Sequence, residues 1–200
     1  DIVEIARIER LMKKNERLRA RTLIPFLNEI EQYYFELPKH IVADAGYGSE
    51  QNYDDILSNR KREPLITYNM YVKEKKKKYK QNKFNTANWD YDEEMDVYTC
   101  PNQQKLVFKY RSVRTDPLGF KREFKVYECE DCSSCPLRSS CTKAKEGNNR
   151  KLMVNEKWEQ QKEYVRAKLS EEKTGAIYRQ RKIDVEPVFG FLKANLRFTR

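Results

Sequence analysis

Three groups of residues in this 200-residue chain have the types and spacing to do chemistry. The first is Asp44, which follows the apolar run His40-Ile41-Val42-Ala43 and is followed by Gly46-Tyr47-Gly48. A carboxylate at the carboxyl end of a buried strand projects into the crevice where open α/β sheets bind their ligands. The glycines leave room for a substrate backbone or a metal. The same pattern also describes a plain turn former or helix cap. The second group centres on Glu186, with Lys193 seven residues on, so on a helix the two share a face with Gly190 between them. Arg179, Arg181, Lys182 and Lys193 surround that acid. An ordinary ion pair on a surface helix leaves so many cations unexplained. Cations holding a phosphate beside a metal-binding carboxylate account for them. The third group is sulfur: Cys129-x2-Cys132-x2-Cys135-x5-Cys141, with Cys100 upstream. Clustered thiols suit a tetrahedral structural Zn²⁺ site drawing on four of the five. Cys135-Pro136 echoes an iron–sulfur run, but the fourth spacing does not fit. Reduced, unligated thiols are the plain alternative. The lone His40 stands far in sequence from the thiols and reads as structural.

These residues need elements to position them. Apolar residues from Ile5, Ile8 and Leu11 to Leu23, Phe26, Leu27, Ile30 and Tyr34 recur at spacings of three and four, predicting helix over Asp1 to Leu37. Pro25 is expected in the first turn of a second helix there, and Pro38 ends the region. His40 to Ala43 reads as a buried strand. Ser49 is a good N-cap, with Glu50 in the first turn of a short helix through Tyr53, Ile56 and Leu57. Pro64 to Tyr68 is a second strand, and the alternation predicts a parallel pair. Beyond Val72 the pattern changes to short strands at Asp96–Thr99, Lys105–Arg111 and Lys121–Tyr127, then the cysteines. Helix returns over about Glu156 to Leu169 and near the C-terminus. Pro187 predicts that the last helix starts near Asp184 or kinks there. The domain reading is 1–71 (helix, strand with Asp44, helix, strand), 72–149 (basic linker and Cys-rich insertion) and 150–200 (helical, with Glu186).

Charge narrows the function. Lys and Arg number 41 against 31 Asp and Glu, a net charge of +10. Most of the excess lies between Arg60 and Lys83, where Lys75, Lys76, Lys77 and Lys78 run together, and a smaller share lies in Tyr178 to Arg200. Basic patches of this density release counterions on meeting a polyphosphate, so nucleic acid is the expected partner. A solvated, flexible connector is the bland reading of the lysine run. No apolar stretch is long enough to span a membrane, and the N-terminus has no basic-then-apolar signal layout. An odd cysteine count without such a signal argues against a complete disulfide framework.

Leu23-Ile-Pro-Phe-Leu through Leu37-Pro-Lys, Ala43-Asp-Ala-Gly-Tyr-Gly-Ser, the Cys-rich stretch and Ile183-Asp-Val-Glu-Pro-Val-Phe-Gly occur in one order. That order resembles bacterial insertion-sequence transposases of the DDE (Asp-Asp-Glu) class. The resemblance implies an α/β fold, a ribonuclease-H-like core carrying the β-rich, Cys-containing insertion. It implies that Asp44 and Glu186 are the second and third catalytic carboxylates, binding Mg²⁺ or Mn²⁺ for cleavage and transfer of DNA strands. Tyr178, Glu186 and Lys193 match the family's Tyr-Arg-Glu-Lys signature. Its Arg falls on Arg181 counted from Tyr178, whereas Lys182 stands at the expected distance from Glu186. Tyr178, Arg181, Lys182 and Lys193 would then hold the DNA, namely transposon ends and target. A homodimer and a cytoplasmic location fit the family. The first Asp belongs on an opening three-strand meander, which the helical, charge-rich N-terminus does not resemble. The expectation is therefore a partial core, inactive alone. The alternative is a non-catalytic, basic, zinc-stabilised DNA-binding remnant.

Overall fold

Two short apolar runs make the framework around Asp44. The computed structural model describes residues 16–195, with side chains over 21–184. The helical pattern expected at Ile5, Ile8 and Leu11 lies outside them. The fold is mixed α/β, in two units: an outer one, Asp1–Asn69 with Gln160–Arg200, and a middle one, Met70–Glu159.

In the outer unit, β1 (His40–Ala43) pairs in parallel with β2 (Glu63–Ile66), in register from His40 opposite Glu63 to Ala43 opposite Ile66. Both strands are too short to bury much alone. The unit also holds α1 (Glu16–Tyr33), α2 (Glu50–Asp54), α5 (Glu156–Ser170, from Gln160 on) and α6 (Glu172–Asn195), the last of which contacts both strands. Leu27, Ile41, Tyr53, Ile56, Leu65, Ile66 and Val165 are buried. Ser49 caps α2, its hydroxyl accepting from the Asn52 N–H, and a single π turn (Asp55–Asn59) leads back toward β2. At the entry to β2, Glu63 gathers Lys39 at 3.2 Å, His40 at 3.5 Å and Lys168 at 3.5 Å. Burial pushes its carboxyl up, but Lys39, Lys168 and His40 outweigh that and hold it below the usual range.

Prolines sit inside helices rather than at their starts. The sequence places a helix start at Pro25, but α1 runs unbroken from Glu16 to Tyr33. An interior proline costs about 3 kcal/mol. Burying Leu23 and Leu27 on one face is worth roughly 1.5–3 kcal/mol each and offsets it. The helix stops at Tyr33, short of Pro38, with the Tyr34 and Phe35 amides both on the Ile30 carbonyl. Likewise α6 starts at Glu172 and continues through Pro187. Asp184 is not its cap, because it lies twelve residues inside the helix, where it accepts a hydrogen bond from Gln180 Nε2 one turn back (3.0 Å).

The middle unit is an antiparallel sheet in the order β3 (Asp90–Asp92), β4 (Val97–Thr99), β5 (Lys105–Thr115), β6 (Lys121–Cys129), β7 (Lys151–Val154). Trp89, Leu106, Tyr127 and Leu152 form its core together with Cys100, Cys129 and Cys132. The hairpin between β3 and β4 turns on Asp96, whose φ of +51° keeps it out of the strand expected to begin there. Asp96 accepts from Tyr91 (2.7 Å) and Tyr127 (2.6 Å). The lysine run forms hydrogen-bonded turns and a one-turn helix, α3 (Lys77–Lys80). Asn88 Nδ2 ties it down on the Tyr79 and Asn82 carbonyls, and Trp89 Nε1 on that of Lys83.

Candidate functional site

Asp44 is the first residue beyond β1, at the carboxyl end of the parallel pair. Its backbone is extended and its Oδ1 accepts from the Gly46 N–H at 2.7 Å, capping the 3₁₀ turn Ala45–Tyr47. That bond fixes the carboxylate's direction and makes it a structural cap. The turn then passes very close to β2's exit. A Cβ built on Gly48 would lie 2.2 Å from the Thr67 carbonyl oxygen and 2.9 Å from the Tyr68 Cα, so only glycine fits. Asn52 Nδ2 holds the turn from the other side, on the Tyr47 carbonyl (2.8 Å).

The exit of β2 meets α6. The Tyr178 hydroxyl lies 3.0 Å from Thr67 Oγ1, and the Arg181 guanidinium lies 5.5 Å from the Tyr178 ring centroid. Tyr53, whose hydroxyl donates to the Ile66 carbonyl at 2.8 Å, backs the same strand end. Burial, then the neighbouring Tyr68 and Tyr178, push its phenol well above the ordinary value. Lys182 is exposed on α6. Glu186 and Lys193 lie on α6, and their side chains are outside the described ones. Glu186 is eight residues beyond Tyr178, roughly 12 Å along the axis.

Two cations here escaped the sequence reading. Arg166 donates to the Tyr68 hydroxyl at 2.7 Å, and Lys162 lies 5.7 Å from the Tyr68 ring centroid. Their one-turn spacing on α5 was a signal, but Tyr68 as the shared partner was not visible in sequence. Lys75, Lys76, Lys77 and Lys78 belong to the middle unit, all exposed, with Lys75 Nζ 3.9 Å from the Tyr71 ring centroid.

The thiols form a second candidate site. Cys100, Cys129, Cys132, Cys135 and Cys141 all line one cavity of about 20 Å³, with Arg138 and Arg150 at its wall. The Arg150 N–H donates to Cys132 Sγ (3.4 Å), and Asn149 Oδ1 accepts from the Cys132 N–H (3.0 Å). Arg138 donates to the carbonyls of Cys132 (3.2 Å), Ala144 (3.4 Å), Lys145 (2.9 Å) and Asn148 (3.0 Å), and Arg150 to that of Cys141 (2.8 Å). Burial, then Cys132 and Cys100, push the Cys129 thiol up to about 12. Burial also raises Cys141, against Arg150, which lowers it. The cysteines are free thiols. Among the described residues, no three His, Cys, Asp or Glu side chains are already drawn together as a metal's ligand set.

A family described as transposase DDE domain matches residues 99–200, and the chain belongs to that family. Its role is therefore in transposition, and its family's substrate is DNA. The matched stretch holds the five cysteines, Tyr178 and Glu186, while Asp44 lies upstream of it. Neither a curated protein nor a solved structure matches the chain. Among the described residues, no helix is long and apolar enough to cross a membrane.

Proposed function

We propose that this chain acts in metal-dependent cleavage and transfer of DNA strands, with Asp44 and Glu186 as carboxylates of the site. On this reading the outer unit belongs to a ribonuclease-H-like core and the middle unit is its insertion. The observation that carries it is the meeting, at one end of the parallel pair, of Asp44 after β1 and of Tyr178, from the helix of Glu186, on Thr67 after β2. A hard cation, Mg²⁺ or Mn²⁺, suits such oxygen donors, and when bound it would activate a water or a 3′-hydroxyl. The Gly46 N–H holds Oδ1 of Asp44 and leaves its second oxygen for that cation. Tyr178, Arg181, Lys182 and Lys193 would grip the strand's phosphates. Lys75 to Lys78 would add sequence-independent attraction.

The test is metal mapping. Fe²⁺ in place of Mg²⁺, with ascorbate and peroxide, cuts a polypeptide next to the bound ion. Cuts beside residues 44 and 186, lost in Asp44→Asn, are expected. DNA binding without cuts at those places favours the second reading, a non-catalytic DNA-binding protein in which Asp44 is only a cap.

The thiol cavity supports a further part of this reading: one Zn²⁺ held by four of Cys100, Cys129, Cys132, Cys135 and Cys141. Thiolates suit zinc, and the Arg150 N–H aimed at Cys132 Sγ would stabilise the negative sulfur. Zinc would serve there as a brace joining β4's end, β6's end and the stretch from Cys132 to the one-turn helix α4 (Arg138–Cys141).

A further inference from the structure

The hairpin β5–β6 outruns the sheet that carries it. β4 pairs only with Lys105–Val107 of β5, and β7 only with Lys125–Glu128 of β6. Residues 110–115 and 121–124 therefore find β partners only in each other or at the register step beside Lys125 and Val126. A register shift between Phe108 and Tyr110 marks where this ribbon leaves the sheet, and such bulges bend and twist a strand. At about 3.4 Å per residue the ribbon is roughly 20 Å long.

Its charges are mostly positive. Residues 109–124 carry five cations (Lys109, Arg111, Arg114, Lys121, Arg122) and two acids (Asp116, Glu123). Two pairs of like charge stand directly across the strands, Arg111 opposite Lys125 and Arg114 opposite Arg122. Such pairs are destabilising unless something answers them. Glu156 answers the first, 3.8 Å from Arg111 and 2.8 Å from Lys125. The second has Asp116 at 4.0 Å from Arg122, while Arg114 lies over Phe124 at 5.5 Å and meets Met153 Sδ. Lys109 and Lys121 are exposed and make no ion pair among the described residues. Val113 and Leu118 are exposed as well.

We infer that this ribbon is a second DNA-contacting element, with Lys109, Arg114 and Lys121 on phosphates of duplex DNA. The inference rests on the family's DNA substrate. A two-stranded ribbon has the width that a major groove admits. What points outward is the contrast between the two like-charge pairs: Glu156 reaches both members of the first, whereas in the second Asp116 reaches Arg122 and Arg114 lies against Phe124 and Met153.

The experiment uses the full chain, a labelled duplex, and binding measured between about 50 and 200 mM salt. Replacing Lys109, Arg114 and Lys121 by Gln together should lower the steepness of log affinity against log salt by about 2.7, at about 0.9 per phosphate contact. A control with Lys143, Lys145 and Lys157 replaced by Gln should change it much less. A photocrosslinking residue at Val113 should capture DNA. Wild-type binding with an unchanged slope in the ribbon variant and no crosslink overturns this inference alone. Absence of duplex binding by the wild-type chain overturns both it and the reading it rests on.

Discussion

The Tyr178 hydroxyl and Thr67 Oγ1, 3.0 Å apart, pin α6 to the residue that follows β2. Tyr178→Phe removes that bond, and a bond of this kind is worth about 1 kcal/mol. Urea unfolding should show that loss. Adding Thr67→Val should cost little more, since the two residues act through one bond. An unchanged midpoint in Tyr178→Phe would contradict the pinning.

Asp44 is expected to separate its two roles by substitution. Asn keeps an acceptor for the Gly46 N–H, so Asp44→Asn should fold with near wild-type stability and lose metal-directed cleavage. Asp44→Ala should lose both, at a further cost of about 1 kcal/mol for the cap. Equal stability of the two variants, by thermal unfolding, would show that the cap contributes nothing.

Gly48→Ala places a methyl group against backbone that cannot turn aside, 2.2 Å from the Thr67 oxygen. Overpacking of this kind typically costs about 1–3 kcal/mol, and here the Asp44 turn should shift with it. Denaturant midpoints of the two proteins give the check.

Zinc content tests the thiol cavity. Protein purified under reducing conditions should carry about one zinc per chain. Cys132→Ser should lower that content and the melting temperature together, because Cys132 is buried and its sulfur already accepts a backbone N–H. Elemental analysis finding no zinc in the wild-type protein would end the proposal.

Glu63 sets a pH dependence. Its carboxyl titrates below its usual value of 4.5 when folded, so the unfolded chain takes up the proton first as pH falls. Its stabilising contribution is complete above about 4.5 and is lost as pH drops through the folded value. Glu63→Gln should therefore be less stable than wild type at neutral pH, and the gap should close in acid. A gap that stays constant down to the most acidic pH tested would refute this.

Much of the outer unit could be read from sequence, and the reasons are local. His40 to Ala43 is a short apolar run bounded by Pro38 and a glycine turn, and Ser49 caps without help from elsewhere. The parallel pairing followed from the intervening helix. Pro25 misled because a proline's local cost was weighed without the packing of the whole helix, and the start expected near Asp184 lies inside a helix that begins at Glu172. β3 and β7 were not expected: Asp90-Tyr91-Asp92 has no strand-like composition, and Lys151–Val154 is four residues long. Each owes its existence to the neighbour it pairs with. At the candidate site, Asp44's place after a strand was legible, whereas Arg166 and Lys162 meet Tyr68 only through the tertiary fold.

Arg138 reaches four carbonyl oxygens on two stretches of chain, at Cys132 and over Ala144 to Asn148. A planar guanidinium acts there as a ruler, because its donors have a fixed spread that an ammonium group lacks. The loop of residues 142–149 contains no buried apolar anchor, and by composition it looks free to change length. The ruler removes that freedom. Inserting or deleting even one residue there would move Asn149 and Arg150, and with them the hydrogen bonds to Cys132. Evolutionary drift in an apparently idle surface loop would thus be felt first at sulfur.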